Sequence, residues 1–507
     1  MLLHRCHNGR LGERKMIADA KGGPDYKSVR LKTKLFYGSG QAVDAVVQAG
    51  VNTFLLFYLT AVCGMSGSAA GSIFLLSLVI DGLLDPYIGR LSDQWQSRWG
   101  RRLPFMAGAL LPMMIAAFFL FNLPAGLSQL TLYVSALALN VSLRVGLSVF
   151  ALPHSALTAE FTDDYSERSV ISTFRALFIV IGTAAALLPA FMLIFAAEGA
   201  LQSRSAYTWL GILLTLLIGG FGWSCVFGIF REAAALPSPL LSDAAGRPGF
   251  FTDLLQLLRN PSFLPLFVGA VLVLVGQGVS LTLNLHAFRY FWGLPTTLIQ
   301  LPLLVLPLGM LLGTLAAGLL LKKVEKRNGV VGAVALLGVY QILATMPVAA
   351  DVVAPGSPFS IGLVAVSGLL FGACGAFCFV CFYSMIADAV DEHDHLFGVR
   401  REALYAAALM IGAKAATGLG AFIAGVGLQL VGFAAPPEGS GPEAVPHDIS
   451  TAVGLLWGPG AAIIVLASLP FLSRYKIDRL RHEQILTSLA ERRIEAESTT
   501  FTAAAKA

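Results

Sequence analysis

The sequence predicts an all-α membrane protein with twelve transmembrane helices in two six-helix halves, and three observations carry this prediction. The 507 residues are 56% hydrophobic and only 13% charged, whereas soluble globular proteins are about one-quarter charged. Apolar runs long enough to cross a bilayer recur along the whole chain. The connections between these runs are alternately rich and poor in Lys and Arg, which indicates their side of the membrane.

The predicted spans follow the ends of the apolar runs. They are residues 35–61, 67–89, 104–123, 130–157, 169–196, 206–230, 262–291, 296–321, 330–350, 359–386, 403–431 and 451–473. By the positive-inside rule we expect a multi-pass protein of the cell inner (plasma) membrane with both termini in the cytoplasm. Most of the basic residues lie in short loops and the tails, which argues against nucleic acid as a partner and leaves the lipid bilayer as the surroundings.

A weak internal repeat divides the chain into two halves. The segment Ser155–Glu160 is followed by Asp163 and Arg168. A similar segment, Ser384–Asp388, is followed by Asp391. Each copy leaves the fourth predicted helix of its half and enters a cytoplasmic connection. Two parallel six-helix repeats are typical of the major facilitator fold, in which substrate binds near the bilayer midplane between the halves.

The predicted organisation therefore has five parts. They are a cytoplasmic N-terminal tail at 1–34, an N-terminal bundle at 35–230, a cytoplasmic linker at 231–261, a C-terminal bundle at 262–473 and a cytoplasmic tail at 474–507. The first tail contains no apolar signal segment, and the last is expected to form an amphipathic surface helix.

Two carboxylates lie inside the second apolar run. Asp81 and Asp85 are four residues apart, so a helix places them one turn above each other on one face. A charge at membrane depth costs at least a few kcal/mol, which makes its default interpretation functional. The pair must share a proton, pair with a cation such as Lys414 or Arg175, or bind a metal ion through oxygen.

Three blocks of sequence carry a resemblance to a known family. They are Asp81-x3-Asp85-Pro-x2-Gly89-x3-Asp93 with Ser97-Arg-Trp-Gly-Arg-Arg-x-Pro104; Pro153-His-Ser-Ala-Leu-Thr-Ala-Glu160 through Arg168; and Ala387-Asp-x2-Asp391 through Arg400-Arg401-Glu402 to Lys414. Together they resemble the glycoside–pentoside–hexuronide:cation symporters, the melibiose carrier family of the major facilitator superfamily. The match extends over essentially all twelve predicted spans.

The resemblance implies roles for individual residues. The cation-coupling site falls on Asp81 and Asp85, a candidate Na⁺ site, with Lys414 in the same charged network. Ser148 on the fourth predicted helix, which the resemblance does not supply, is expected to offer a further oxygen. The cytoplasmic gate, by the same resemblance, falls on Gly89, Asp93, Arg101, Arg102, Glu160, Asp164, Arg168, Asp388, Arg400 and Arg401.

Substrate binding is expected at Asp44, Arg144 and Arg175. The resemblance supplies the first and third, whereas spacing supplies Arg144, because positions 144, 148, 151 and 155 share one helical face. If that face lines the cavity, a guanidinium there would clamp a carboxylate or sulfonate, which motivates the hypothesis of an anionic sugar such as a hexuronide. The alternative for Arg144 is an intramembrane ion pair with Asp44, Asp81 or Asp85.

The sequence departs from the melibiose carriers on the fourth helix. Where they hold a further aspartate, this chain has Ala151, and Ser155 replaces their tryptophan. One carboxylate fewer makes a poorer Na⁺ site, so the departure favours protons and argues against melibiose as the substrate.

The implied function is symport of a glycoside, pentoside or hexuronide with H⁺ or Na⁺ by a monomeric carrier. The alternative is a cation-coupled lysolipid transporter of the same superfamily. An enzyme is not expected, since the sequence has no nucleophile–base pair, metal-ligand cluster or phosphate-binding loop, and no cofactor is expected.

Overall fold

The computed structural model describes residues 29–162, 164–234, 257, 259–437 and 442–504, and within these ranges it contains helices and no β-strand. The helices that cross the molecule are numbered α1 to α12. They are α1, Leu31–Gly50 with π-helical turns Val51–Leu55 and Tyr58–Val62; α2, Gly67–Gln94; α3, Leu103–Leu120; α4, Gln129–Phe161; α5, Tyr165–Pro189 with Ala190–Ile194; α6, Arg204–Gly228; α7, Phe263–His286 with Ala287–Phe291; α8, Thr296–Leu320; α9, Lys326–Ala349; α10, Pro358–Phe397; α11, Glu402–Leu430; and α12, His447–Leu455 continuing through Leu456–Gly460 and Ala461–Leu466 to Leu469–Leu472.

The twelve predicted spans are all present as helices. Eleven of them, α2 to α12, are long and apolar enough to cross a membrane by length and composition. The first, α1, is interrupted by π-helical turns but runs helically from 31 to 62. Intrahelical hydrogen bonds satisfy the backbone of such segments, which is why a bilayer selects helices.

Two helices extend well beyond their predicted ends. α2 continues to Gln94 and α10 to Phe397, whereas the apolar runs end at residues 89 and 386. The tail helix, α13, covers Arg479–Ala504, within the tail that was expected to form a surface helix. Residues 1–28 of the N-terminal tail and 235–256 of the linker lie outside the described ranges.

The N-terminal bundle consists of α1 to α6 and the C-terminal bundle of α7 to α12. Glycines bring α2 and α11 into contact between the bundles. A Cβ atom at Gly425 would overlap the Gly67 carbonyl oxygen. A Cβ atom at Gly71 would lie 3.0 Å from the Ala421 carbonyl oxygen. Backbones can approach this closely only where side chains are absent, as in other small-residue contacts of membrane helices.

One side of the molecule is sealed between the bundles. We call it the opposite face, because it lies away from the terminal face, where α1 begins and α12 ends. On the opposite face, Thr60 Oγ1 and His286 Nε2 are 2.8 Å apart, and the Ser68 amide donates to Gln429 Oε1 at 3.1 Å.

The bundles separate towards the terminal face. α2 has many buried residues from Gly67 to Asp81, whereas beyond Asp81 Ser92 alone is buried among its described residues. The structure is therefore closed on the opposite face and open towards the terminal face.

Candidate functional site

A cavity of about 430 Å³ lies between the bundles, at the depth of Asp81. It is formed by α1, α2, α4 and α5 of the N-terminal bundle and by α11 of the C-terminal bundle. Twelve of its eighteen lining residues are polar or charged: Gln41, Asp44, Gln48, Asn52, Asp81, Asp85, Arg144, Ser148, Ser155, Arg175, Lys414 and Thr417. All seven residues predicted for cation coupling and substrate binding line this cavity.

Lys414 joins the two aspartates of α2. Its ammonium nitrogen lies 2.9 Å from Asp81 Oδ2 and 2.5 Å from Asp85 Oδ2. Ser148 donates to the other Asp81 oxygen at 2.5 Å, while Asp85 Oδ1 is buried without a hydrogen-bond partner. Of the three options left open by the sequence, the structure therefore contains pairing with a cation, and that cation is Lys414 from the opposite bundle.

Arg175 takes part in a different contact. Its Nε and Nη2 both donate to Gln41 Oε1, at 3.0 and 2.8 Å, and Nη1 lies 3.5 Å from Thr158 Oγ1. Gln41 in turn donates from Nε2 to Asp44 Oδ2 at 3.1 Å. Arg175 thus reaches Asp44 through a neutral amide and does not pair with Asp81 or Asp85.

Arg144 is buried, at 5% exposure, and has no ion pair within 4.0 Å among the described residues. Its Nε and Nη2 are buried without a hydrogen-bond partner. The predicted alternative, an intramembrane ion pair with one of the three aspartates, is therefore wrong for this conformation. Ser148 donates its hydroxyl to Asp81, and Lys414 pairs with both aspartates. Arg144 therefore lines the cavity with two buried donors that have no partner.

The fourth helix presents the face that its spacing predicts. Arg144, Ser148, Ala151 and Ser155 all line the cavity. His154, on the other side of the helix, is buried and lies 2.8 Å from the Tyr37 carbonyl oxygen through Nε2. It packs against the Tyr37 ring at 4.3 Å, so it belongs to the bundle core.

The predicted gate residues of the N-terminal bundle meet at the terminal ends of α2 and α4. Glu160 Oε1 accepts from Arg101 Nη2 at 2.6 Å and from Arg102 Nη2 at 2.7 Å. Arg102 also pairs with Asp93 at 2.7 Å. Gly89 lies on the exposed end of α2, where a Cβ atom would meet nothing within 4 Å.

The other gate residues of this bundle lie in the α4–α5 connection. Arg168 donates from Nε to the Thr162 carbonyl oxygen at 2.9 Å, and its backbone amide donates to the Asp164 carbonyl oxygen at 3.0 Å. The Asp164 amide donates to Thr162 Oγ1 at 3.1 Å. These bonds fix the turn into α5.

The C-terminal bundle has its own set of terminal-face ion pairs. Asp388 pairs with Lys326 at 2.6 Å, and Asp391 pairs with Arg400 at 2.8 Å. Arg401 precedes the first residue of α11, and its carbonyl oxygen accepts from the Leu404 amide at 3.1 Å. In each of these gate ion pairs, both residues belong to the same bundle.

The sequence interpretation missed three amide residues of α1. Gln41, Gln48 and Asn52 line the cavity with Asp44, and Asn52 donates from Nδ2 to Gln48 Oε1 at 3.2 Å. Successive residues of the row 41, 44, 48 and 52 are three or four positions apart, which places them on one helix face and was the available signal.

The comparison with protein families agrees with this architecture. The family model described as MFS/sugar transport protein matches residues 36–479. The chain belongs to this family. It is therefore a multi-pass membrane transporter and not an enzyme, as the sequence predicts.

Relatives of similar length support the assignment. The protein named uncharacterized symporter sll1374, from Synechocystis sp., is 26% identical over 92% of this chain and 98% of its own length. The isoprimeverose transporter of Lactiplantibacillus pentosus is 24% identical over 76% of this chain and 77% of its own length. The glucuronide carrier protein homolog of Escherichia coli is 24% identical over 80% and 84%, respectively.

Solved structures share the fold. The nucleoside transporter NupG superposes with a TM-score of 0.55 at 14% identity, over 88% of this chain and 99% of that one. A bacterial homologue of the iron transporter ferroportin, in an inward-facing state, gives a TM-score of 0.56 at 14% identity, over 87% and 97%. At this identity the likeness concerns the fold alone.

Proposed function

We propose that this protein is a cation-coupled sugar symporter that works by alternating access. Relatives named as symporters, an isoprimeverose transporter and a glucuronide carrier homolog support this proposal. In the proposed orientation both termini are cytoplasmic and the protein lies in the cell inner (plasma) membrane, so the terminal face is the cytoplasmic one. The described conformation is then inward-facing, with its cavity open to the cytoplasm.

The observation that carries the proposal is the bridge from Lys414 to Asp81 and Asp85. The lysine belongs to α11 and the aspartates to α2, so the bridge links the two bundles at the cavity. An incoming cation that neutralises an aspartate weakens this link, because Lys414 then has one carboxylate fewer to hold. Cation binding thereby alters the contact between the halves that must rearrange during transport.

The oxygen atoms available as cation ligands favour H⁺ over Na⁺ as the coupling ion. A Na⁺ at this position would have the carboxylate oxygens of Asp81 and Asp85 and the hydroxyl of Ser148, with alanine at position 151 on the same face. The two carboxylates are already bridged by an ammonium group, which Na⁺ would have to displace completely. A proton needs only one carboxylate oxygen, and Asp85 Oδ1 is without a partner.

The lining of the cavity favours a hydroxylated solute. An amide both donates to and accepts from a hydroxyl group, whereas a carboxylate accepts from it. α1 supplies both kinds of group in one row. The alternative of a lysolipid would require an apolar chamber for the acyl chain, whereas twelve of the eighteen lining residues are polar.

Arg144 narrows the class of sugar. A buried guanidinium with two free donors is costly unless a ligand accepts them, since each unsatisfied buried group loses about 1–3 kcal/mol. A carboxylate on the substrate would accept both in a bidentate pair. We therefore propose a uronide or another sugar with a carboxylate as the preferred substrate.

Counterflow in proteoliposomes tests both parts of the proposal. A panel of neutral and acidic sugars is measured at varied pH and Na⁺ concentration, with wild-type protein and with Asp81→Asn and Asp85→Asn. We expect gradient-driven accumulation to disappear in both variants. Asp351→Asn is the matched control, because Asp351 is an exposed loop residue with φ 56°, where Asn is well tolerated.

Arg144→Ala tests the substrate class separately. It should reduce transport of acidic sugars at least tenfold and affect neutral sugars much less. An equal loss for both kinds of sugar would remove the anion-binding role. Uptake of sugars by the double variant Asp81→Asn/Asp85→Asn against a gradient would remove the coupling role of the aspartates.

A further inference from the structure

A neutral amide separates two opposite charges in the cavity. Arg175 on α5 and Asp44 on α1 do not form a direct ion pair within 4.0 Å. Gln41 lies between them, accepting two hydrogen bonds from Arg175 on Oε1 and donating from Nε2 to Asp44. This orientation of the amide follows from chemistry, because a guanidinium can only donate and must therefore face the amide oxygen.

Two further amides continue the row beyond Asp44. Asn52 donates from Nδ2 to Gln48 Oε1 at 3.2 Å. The Asp44 carboxylate itself accepts its hydrogen bond from a neutral group, Gln41 Nε2. Among the described residues, no cation lies within ion-pairing distance of it.

The burial pattern of α1 shows that this row faces the cavity. From Gly38 to Asn52 every residue is buried except Gln41, Asp44, Gln48 and Asn52. The row extends from the first of these four residues to the last, which is about 16 Å along a helix. The other sides of the helix are buried. The stripe of four polar residues therefore forms one wall of the cavity.

We propose that Gln41 is a positioning residue that keeps Arg175 and Asp44 one amide apart, so that the Asp44 carboxylate remains available to the hydroxyl groups of the substrate. Arg and carboxylate groups form strong bidentate pairs when they meet. In a cavity of low dielectric constant such a pair would consume the acceptors that a sugar hydroxyl needs. The inference rests on the proposed function, since it assigns a task in sugar binding.

A coupling measurement tests the separation without any sugar. Thermal unfolding of the purified protein is compared for Asp44→Asn, Arg175→Gln and their double variant, once with Gln41 and once with Gln41→Met, which retains side-chain volume but makes no hydrogen bond. With methionine at position 41 we expect the two charges to pair directly. Their coupling, measured as the departure of the double variant from additivity in melting temperature, should increase.

A transport measurement tests the consequence for the substrate. Gln41→Met should raise KM about tenfold, equivalent to roughly 1.4 kcal/mol, with little change in maximal rate. A residue that only supported packing would leave KM unchanged after a substitution of equal volume. Gln41→Asn, which keeps the amide but is too short to reach both partners, should act in the same direction, while Gln129→Met at an exposed position is the matched control.

The outcomes separate the inference from the proposed function. Unchanged coupling in Gln41→Met would overturn the separation of charges, and increased coupling with an unchanged KM would overturn its role for the substrate. If the wild type transports no sugar, the proposed function fails, whereas the coupling measurement still decides whether Gln41 holds Arg175 and Asp44 apart.

Discussion

Replacement of Lys414 by methionine should trap a cation in the cavity. The ammonium group lies 2.9 Å from Asp81 and 2.5 Å from Asp85, so the two carboxylate oxygens cannot lie farther apart than the sum of these distances, about 5.4 Å. Without the lysine, two negative charges at that separation repel each other by about 3 kcal/mol at an effective dielectric constant of about 20. Binding of a proton or metal cation removes this repulsion.

The variant should therefore bind its coupling ion about a hundredfold more tightly than the wild type, because about 3 kcal/mol is roughly twice the 1.4 kcal/mol that corresponds to a factor of ten. Tight retention still permits exchange, because both halves can move with the ion bound, but it prevents the release that net uptake requires. We therefore expect Lys414→Met to retain sugar counterflow in proteoliposomes and to lose at least nine-tenths of gradient-driven accumulation.

The control is Lys323→Met, since Lys323 is exposed on the terminal face and lies outside the cavity lining. Accumulation by Lys414→Met at the wild-type level would refute the argument. Loss of counterflow together with accumulation would also contradict it, provided that the purified variant unfolds at the wild-type temperature.

Three further predictions concern the helix contact and the ion pairs that support the two bundles around the cavity. Gly425→Ala places a Cβ atom against the Gly67 carbonyl oxygen with no room for it, so it should part α2 from α11 and lower the melting temperature by several degrees; an unchanged temperature would contradict this contact. Arg481→Ala leaves the Glu392 carboxylate, 1% exposed, without its 2.8 Å partner. It should destabilise the protein by about 1–3 kcal/mol, reduced by the partial exposure of the arginine, as measured by thermal unfolding. Glu160→Gln should loosen the two arginines that it holds, and tryptic cleavage in the α2–α3 connection should become faster; equal cleavage rates would argue against the pairing.

The fold could be predicted from the sequence because the bilayer imposes one strong rule. Every crossing segment must be apolar and helical, so the twelve runs are visible in composition alone. The ends of α2 and α10 were predicted too early, since their last turns project beyond the apolar layer. There Asp388 pairs with Lys326, 62 residues away in the chain, and a pairing over such a distance leaves no local pattern.

Part of the site could be predicted from helical periodicity. The spacing of Asp81 and Asp85, and the face of α4 that carries Arg144, are local properties of single helices. The partner of the aspartates stayed open between Lys414 and Arg175, because the pairing with Lys414 spans 333 residues. Gln41 was missed for another reason: a neutral amide in a span carries no net charge, so it does not stand out as a costly residue does.

The distribution of ion pairs suggests where the free energy of switching resides. The gate pairs of the terminal face, such as Arg102 with Glu160 and Lys326 with Asp388, lie within one bundle each. These pairs therefore survive when the bundles rotate as rigid bodies. The seal of the opposite face contains the Thr60–His286 hydrogen bond and glycine contacts, and each such bond is worth only about 1 kcal/mol net. The bridge from Lys414 to α2, which crosses between the bundles beside the cavity, is then the contact through which a bound cation can bias the equilibrium between the two orientations.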